Sequence, residues 1–233
     1  IRTLAANDTT MGSIVMGEVS LDAYRNALNS QALFGQMTVI DVNGHDEYNE
    51  GTWRYSDIDH VVEYAAHETK SGDDWLITPT IAMESGRTYT ISFNARGSAS
   101  WYTEKFEVKA ATEASSTALS AGTQVRAVTN VNHDSWRTYS GTFTPTESGN
   151  YYVAIHAIST PDRMNLQVTN LAVTYLGMPA GVTQLTDSTY RVFYGTELPV
   201  KATATTMHHV AGWQNEDNND YAGATYSNYA FTR

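Results

Sequence analysis

The sequence predicts an all-β fold, a two-sheet antiparallel sandwich, and three observations carry that reading. The 233 residues include 15 Tyr and only 17% charged residues, with many Thr, Ser and Asn, and aromatic and β-branched side chains suit a pleated, half-buried surface. From Thr88 to Ala95, the residues Tyr89, Ile91 and Phe93 alternate with Thr90, Ser92 and Asn94, the period of a strand with one buried face. Clusters of Gly, Asn, Asp and Ser cut the middle of the chain into short strand-like runs, the grammar of a sandwich.

Near the start of the chain, Leu21, Tyr24, Leu28 and Gln31 lie three or four residues apart behind a Ser20 cap, which gives a short helix from Ser20 to Gln31 or, equally, an irregular lead-in. Strands are expected at Met37 to Asp41, Trp53 to Tyr55, Val61 to Ala66, Trp75 to Thr78 and Thr88 to Ala95. Further strands are expected at Lys105 to Ala110, Gln124 to Thr129, Trp136 to Thr144, Asn150 to Ala157 and Leu166 to Leu176. Pro79 and Pro145 end two of them. The repeated Glu84-Ser85-Gly86 and Glu147-Ser148-Gly149 each place a glycine where a turn needs positive φ. At Gly177-Met178-Pro179 the strand pattern breaks, and the remaining segment is shorter than the roughly 100 residues of a conventional sandwich. That extension carries strand-like pieces (Thr189 to Tyr194, Leu198 to Thr203) and an acidic, Asn-rich loop from Gln214 to Asp220. The expected division is therefore a flank or linker over 1–20, the sandwich over 21–177, and a short strand and loop extension over 178–233 that is part of a following module or linker.

Composition excludes several functions. The formal net charge is −11, and the Lys and Arg residues are unclustered, so no nucleic acid is expected as a partner. The chain has no Cys, which removes disulfide scaffolds and thiolate metal sites. No run of about 18 apolar residues offers a membrane span. The opening Ile1-Arg2-Thr3 reads as a processed piece of a longer chain.

Candidate chemistry lies in acids and aromatics. Asp41, Asn43, His45, Asp46, Glu47 and Glu50 crowd one Gly-containing loop. Calcium takes six to eight oxygens, so this loop either binds that ion or is a solvated turn in which Asp41 and Asn43 cap backbone N–H groups. Asp73 and Asp74 precede a strand, where successive side chains face opposite ways; one of them points inward and must accept hydrogen bonds or bind a cation. The candidate metal ligands are Asp41, Asn43, Asp46 and Asp73. The seven histidines lack the helical i, i+4 spacing of catalytic zinc, and His156 reads as a hydrogen-bonded sheet residue. There is no Gly-x-Ser-x-Gly elbow, and no second carboxylate is placed across a sugar from the first. Trp53, Trp75 and Trp136 stand at strand starts and read as core. Trp101 and Tyr102 follow Gly97-Ser98-Ala99-Ser100 in a loop, where a large ring is placed for a sugar face or a partner surface. Trp213, beside the acidic tail loop, has the same standing, its alternative being an anchor for the tail.

Several ordered motifs resemble one family. Tyr24-Arg25-Asn26-Ala27-Leu28, Met37-Thr38-Val39-Ile40-Asp41-Val42-Asn43-Gly44, Thr52-Trp53 and Gly72-Asp73-Asp74-Trp75-Leu76-Ile77-Thr78-Pro79 look like the cleaved-adhesin or choice-of-anchor J modules of Bacteroidota surface proteins, including gingipain haemagglutinin regions. Glu104-Lys105-Phe106-Glu107-Val108, Trp136-Arg137-Thr138-Tyr139-Ser140, Tyr151 to Ser159 and Leu166 to Val173 continue the resemblance. It spans Tyr24 to Leu176. It implies a jelly-roll sandwich, and calcium at an Asp-x-Asn-x-Asp loop. Here the third position is His45, and Asp46 is out of phase by one. The flanks add two readings: Tyr226 to Phe231 echoes Tyr24 to Leu28, as recurring modules would, or Pro179 to Thr186 opens a fibronectin-like linker. The resulting expectation is a non-catalytic, calcium-stabilised adhesion or ligand-binding module, extracellular or at the cell surface. Its partners would be a glycan, a host or cell-surface protein, or neighbouring modules of its own chain. The alternative is a carbohydrate-binding accessory module of a larger glycan-degrading or proteolytic enzyme. A glycosidase or esterase is the third class.

Overall fold

The computed structural model describes residues 2–3, 12–187, 189–193, 197–205 and 229–232. The described elements begin with β1 (Arg2–Thr3), β2 (Gly12–Met16), β3 (Val19–Asn26), α1 (Gln31–Phe34), β4 (Thr38–Asp41), β5 (Thr52–Ser56) and β6 (Val61–Ala65). Next in the chain are β7 (Asp74–Ile77), β8 (Ile81–Met83), β9 (Tyr89–Gly97), β10 (Glu104–Ala111), α2 (Ser116–Ala121), β11 (Thr123–Val131) and β12 (Arg137–Phe143). Last come β13 (Gly149–Ala157), β14 (Asn165–Gly177), β15 (Val182–Thr186), β16 (Thr189–Val192), β17 (Glu197–Ala204) and β18 (Tyr229–Thr232).

The chain divides into two compact units, Asp22–Tyr175, and Ile1–Leu21 with Leu176–Arg233. In the larger unit, one sheet has the order β11-β10-β13-β7-β4 with β8 also on β13, and the other has the order β12-β9-β14-β6-β5 with β3 on β14. Neighbouring strands along both orders run antiparallel. The chain crosses from one sheet to the other at β3–β4, β4–β5, β6–β7, β8–β9, β9–β10, β11–β12, β12–β13 and β13–β14, which is the jelly-roll pattern of an all-β sandwich. In the smaller unit, β1-β16-β15 and β18-β17-β2 form two three-stranded sheets, and Met16, Val182, Tyr190 and Val200 are buried together.

Alternation builds the core. In β9, Tyr89, Ile91, Phe93 and Ala95 are buried while Thr90 is exposed and Ser92, Asn94 and Arg96 are half-buried. Phe93 meets Phe106 edge-on at 5.2 Å between ring centroids, Phe106 meets Tyr139 at 5.2 Å, and Trp53 meets Tyr64 at 5.9 Å. A second apolar cluster lies on the other face of the β7 and β13 strands. There Trp75, Ile77, Ala111, Ala154 and the α2 residue Leu119 are buried together.

Three expectations are corrected. Val19–Asn26 is a strand, not the first turns of a helix, and the helix proper is only Gln31–Phe34, capped by Ser30. The three-to-four spacing there arises from a strand followed by a left-handed turn at Leu28 (φ 53). Gly86 has the expected positive φ of 74, but Gly149 is not among the positive-φ glycines and opens β13. Trp136 precedes the first paired residue of β12, Arg137, and is 38% exposed instead of lying in the core.

Candidate functional site

Strand registers gather five loops at one end of the sandwich. Asp41 pairs with Asp74, Asp74 with Ala157, Ala157 with Phe106, Glu104 with Val131, and Thr52 and Asn165 both with Ala65. The loops over 42–51, 66–73, 98–103, 132–136 and 158–164 therefore leave the sheets on the same side. Asp41, Asn43, Asp46, Asp73, Trp101 and Tyr102 all lie at this end, although the sequence spreads them over 62 positions. Trp213 lies outside the described residues.

Beneath these loops is a cluster of oxygens. Asp74 is fully buried; its Oδ2 accepts from the Asp73 N–H at 3.1 Å, while Oδ1 has no hydrogen-bond partner. Burial, aided by the negative charges of Asp41 and Asp73 and opposed by the Asp73 N–H, pushes the Asp74 carboxyl up to about 7. Asp41 goes the other way. Its burial is outweighed by hydrogen bonds from the His45 ring and the Gly44 N–H, which hold it below its ordinary range. The Gly44 N–H reaches Asp41 Oδ1 at 2.6 Å and His45 Nδ1 lies 2.7 Å from Oδ2. Asn43 donates its Nδ2 to the Ser71 carbonyl at 2.5 Å and buries an Oδ1 without a partner. Glu104 is fully buried, accepts from the Met164 N–H at 2.9 Å through Oε1, and leaves Oε2 without a partner. Burial and the carboxylates of Asp74, Glu104, Asp41 and Asp73 also raise the Tyr64 phenol well above its usual range.

Hard oxygen donors of this kind fit calcium chemistry. Unpartnered buried oxygens are destabilising, and a cation would offset that cost. Among the described residues, however, no three His, Asp or Glu side chains are spaced to close on one ion. Asp46 is occupied with its own turn, its Oδ1 accepting from the Tyr48 and Glu50 N–H groups at 2.9 Å. Asp73 turns away to His156, with Oδ1 2.8 Å from Nε2. His156 is indeed a hydrogen-bonded sheet residue: its Nδ1 lies 3.1 Å from Glu107, and its ring stacks on Trp75 at 3.6 Å.

The outer face of the β12-β9-β14-β6-β5 sheet carries an arrangement that sequence reading missed. The registers Arg54↔Glu63, Glu63↔Gln167 and Gln167↔Arg96 align four polar side chains across four strands. Arg54 Nε donates to Glu63 Oε1 at 3.0 Å, Gln167 Nε2 donates to Glu63 Oε2 at 3.1 Å, and Arg96 Nε donates to Gln167 Oε1 at 2.8 Å. The β5–β6 turn adds Asp59, whose Oδ2 accepts from Gln167 Nε2 at 2.9 Å. At the Arg96 end the guanidinium lies over the Trp136 ring, 4.6 Å from its centroid. Elsewhere at the loop end, Tyr102 faces Arg163 at 5.9 Å and Trp101 is 78% exposed.

Residues 62–162 match the family model described as carbohydrate binding domain. That match supports a ligand-binding module. No curated protein matches the sequence. Among solved structures, the K3 cleaved adhesin domain of Lys-gingipain from Porphyromonas gingivalis is similar at 12% identity and a TM-score of 0.49, covering 67% of this chain and 99% of that one. A xylan-binding module, CBM15, is similar at 13% identity and a TM-score of 0.47, covering 70% and 100%. The K1 cleaved adhesin domain of the same gingipain is similar at 13% identity and a TM-score of 0.40, covering 69% and 99%. Among the described residues no helix is long and apolar enough to cross a membrane.

Proposed function

We propose that the sandwich is a non-catalytic carbohydrate-binding module, secreted or displayed at a cell surface, that holds a glycan against its loop end and the adjoining sheet face. The observation that carries this reading is the Trp136 ring, half-exposed and backed by Arg96, at the end of a polar row that crosses the sheet. Sugar rings present apolar faces and hydroxyl edges. A site for them needs one flat ring for the face and a few fixed polar groups for the edge. Gln167 and Glu63 are buried and locked by their neighbours, so Arg54 and Arg96 are presented on a rigid base rather than on mobile side chains. Trp101 and Tyr102 belong to the same proposal as a second contact on the rim, where a cell-surface protein would also dock. Calcium belongs to it as a stabiliser held by Asp41, Asn43 and Asp74.

Glycan-array binding followed by titration tests the proposal. Trp136→Ala is expected to weaken the best glycan about tenfold, equivalent to ~1.4 kcal/mol, while Trp101→Ala and Tyr102→Ala report whether the rim takes part. Undiminished binding in all three variants would remove the proposed site.

A further inference from the structure

The geometry points to a carboxylate-bearing sugar as the ligand of the sheet-face site, with Asp59 standing in for that carboxylate until the ligand displaces it. This inference rests on the glycan reading above and adds the chemical class of the ligand.

Arg96 is the residue that selects such a ligand. Its guanidinium is fixed from two sides, by the Trp136 ring at 4.6 Å and by the Nε hydrogen bond to Gln167 Oε1 at 2.8 Å. An arginine has five N–H donors, and the four on the terminal nitrogens are not used in that bond. Among the described residues the only acid they approach is Asp59, whose Oδ1 is 4.0 Å from Nη2. That is an ion pair but too long for a hydrogen bond, which for N–H···O runs to about 3.2 Å. A pre-oriented fork of this kind is suited to bidentate contact with a carboxylate.

Asp59 fills the position imperfectly. Its carboxylate meets Gln167 Nε2 well, at 2.9 Å, and Arg96 poorly. It is delivered by a short exposed turn in which Ile58 is 91% exposed and His60 has a φ of 53. The Asp59 side chain is itself 43% exposed, so its pair with Arg96 contributes little; moving it gives up one hydrogen bond from Gln167 Nε2, which keeps Glu63 Oε2 as a partner. A ligand carboxylate free to approach along the fork would make two short bonds to Arg96, to which Asp59 makes none. Glu63 offers no second competitor, because its two oxygens are taken by Arg54 and Gln167. Once Asp59 has moved, Arg54, Arg96 and Glu63 leave the row with a local excess of one positive charge. The chain's net charge of −11 works against an anion at long range, but the Debye length is about 8 Å at physiological salt, so contact pairs dominate.

The test is titration calorimetry on the whole chain with two acidic probes, an oligogalacturonide and a glucuronate-bearing xylo-oligosaccharide, each beside its methyl ester. The ratio of acid to ester affinity is the readout. It is expected to be about threefold in the natural chain, to rise to about tenfold or more in Asp59→Ala, and to fall to about one in Arg96→Gln, as loss of bidentate pairing requires. Arg96→Lys, which keeps the charge without the fork, should give an intermediate ratio. Equal binding of acid and ester in Asp59→Ala, for both probes, would overturn the inference. If both forms then weaken together in Trp136→Ala, the glycan reading stands without the acidic specificity. If no form binds any variant, both readings fall.

Discussion

A fully buried carboxyl with one oxygen unpartnered sets a definite pH dependence at Asp74. In the folded chain it keeps its proton up to about pH 7, whereas an unfolded aspartate releases it near ~3.9. Between those values the folded state binds more protons than the unfolded one, so without a cation the Asp74 contribution makes stability fall as pH rises from about 4 to 7. Asp41, held below its ordinary range, contributes in the opposite sense: its stabilisation is present above the unfolded value and is lost as pH falls below it. Denaturant midpoints measured in chelator from about pH 4 to 7 should show the Asp74 decline, and Asp74→Asn should flatten it. A midpoint that rises steadily through that range in the natural chain would contradict the raised Asp74 carboxyl. That one of Asp73 and Asp74 turns inward was legible from strand alternation. Which one does so depends on the register Asp41↔Asp74, and a single sequence does not contain the register. Trp136 was misread for a related reason: it abuts a strand by sequence but stands one residue outside its pairing, so the alternation rule does not reach it.

Strands with strict alternation between a buried and a wetter face, as in β9, were legible, whereas β3, whose alternation is only between half-buried and exposed residues, and elements set by tertiary context were not. β8 has three residues, too few for a period. α2 is Ser-Thr-Ala-Leu-Ser-Ala, with a single large apolar side chain and no helical periodicity to detect. Its formation is explained by its cap, the Ser115 hydroxyl accepting from the Ala118 N–H at 3.2 Å, and by Leu119, which is fully buried against the Trp75 cluster. A helix this short is not stable on its own, so its packing must supply what propensity lacks. Leu119→Ala is expected to lower stability by about 2–5 kcal/mol, the usual cost of emptying a buried leucine site, measured as a shift of the urea midpoint. An effect below about 0.5 kcal/mol, the range of ordinary surface substitutions, would mean that α2 contributes nothing to holding the outer face of that sheet. The polar row was beyond reach of the sequence for the same reason as Asp74. Arg54, Glu63, Arg96 and Gln167 are recognisable one by one as outward-facing strand residues, but they become a row only when four strands, 113 positions apart at the extremes, adopt one particular register.

For the larger unit as a whole, the jelly roll brings distant acids to one end; His45 pairs with Asp41 and the β13 residue His156 with Asp73, while among the described residues Asp74 and Glu104 have no basic side chain within ion-pair distance. Asp41, Asp73, Asp74 and Glu104 all act on the Tyr64 phenol, while Lys70, at the same end, is engaged by the Asn43 and Gly44 carbonyls at 3.0 and 2.9 Å. Chain closure at this end therefore concentrates negative potential, and a bound divalent cation would relieve it. An ion that binds only the folded state stabilises it by ~2.7 kcal/mol at 100 times its Kd. For a chain of this size each kcal/mol moves the melting point by about 2–4 °C, so calcium should raise Tm by roughly 5–11 °C over chelator at neutral pH. Magnesium, which demands tight octahedral geometry and keeps its own waters, should do much less. Asp74→Asn should abolish most of the calcium shift while melting higher than the natural chain in chelator, because it removes the buried charge that the ion would otherwise balance. Asp46→Asn should leave the shift nearly intact, since that carboxylate serves its own turn. Identical melting in calcium and in chelator would mean that the protein tolerates these buried acids by keeping Asp74 protonated, and that its loop end is stabilised by hydrogen bonds alone.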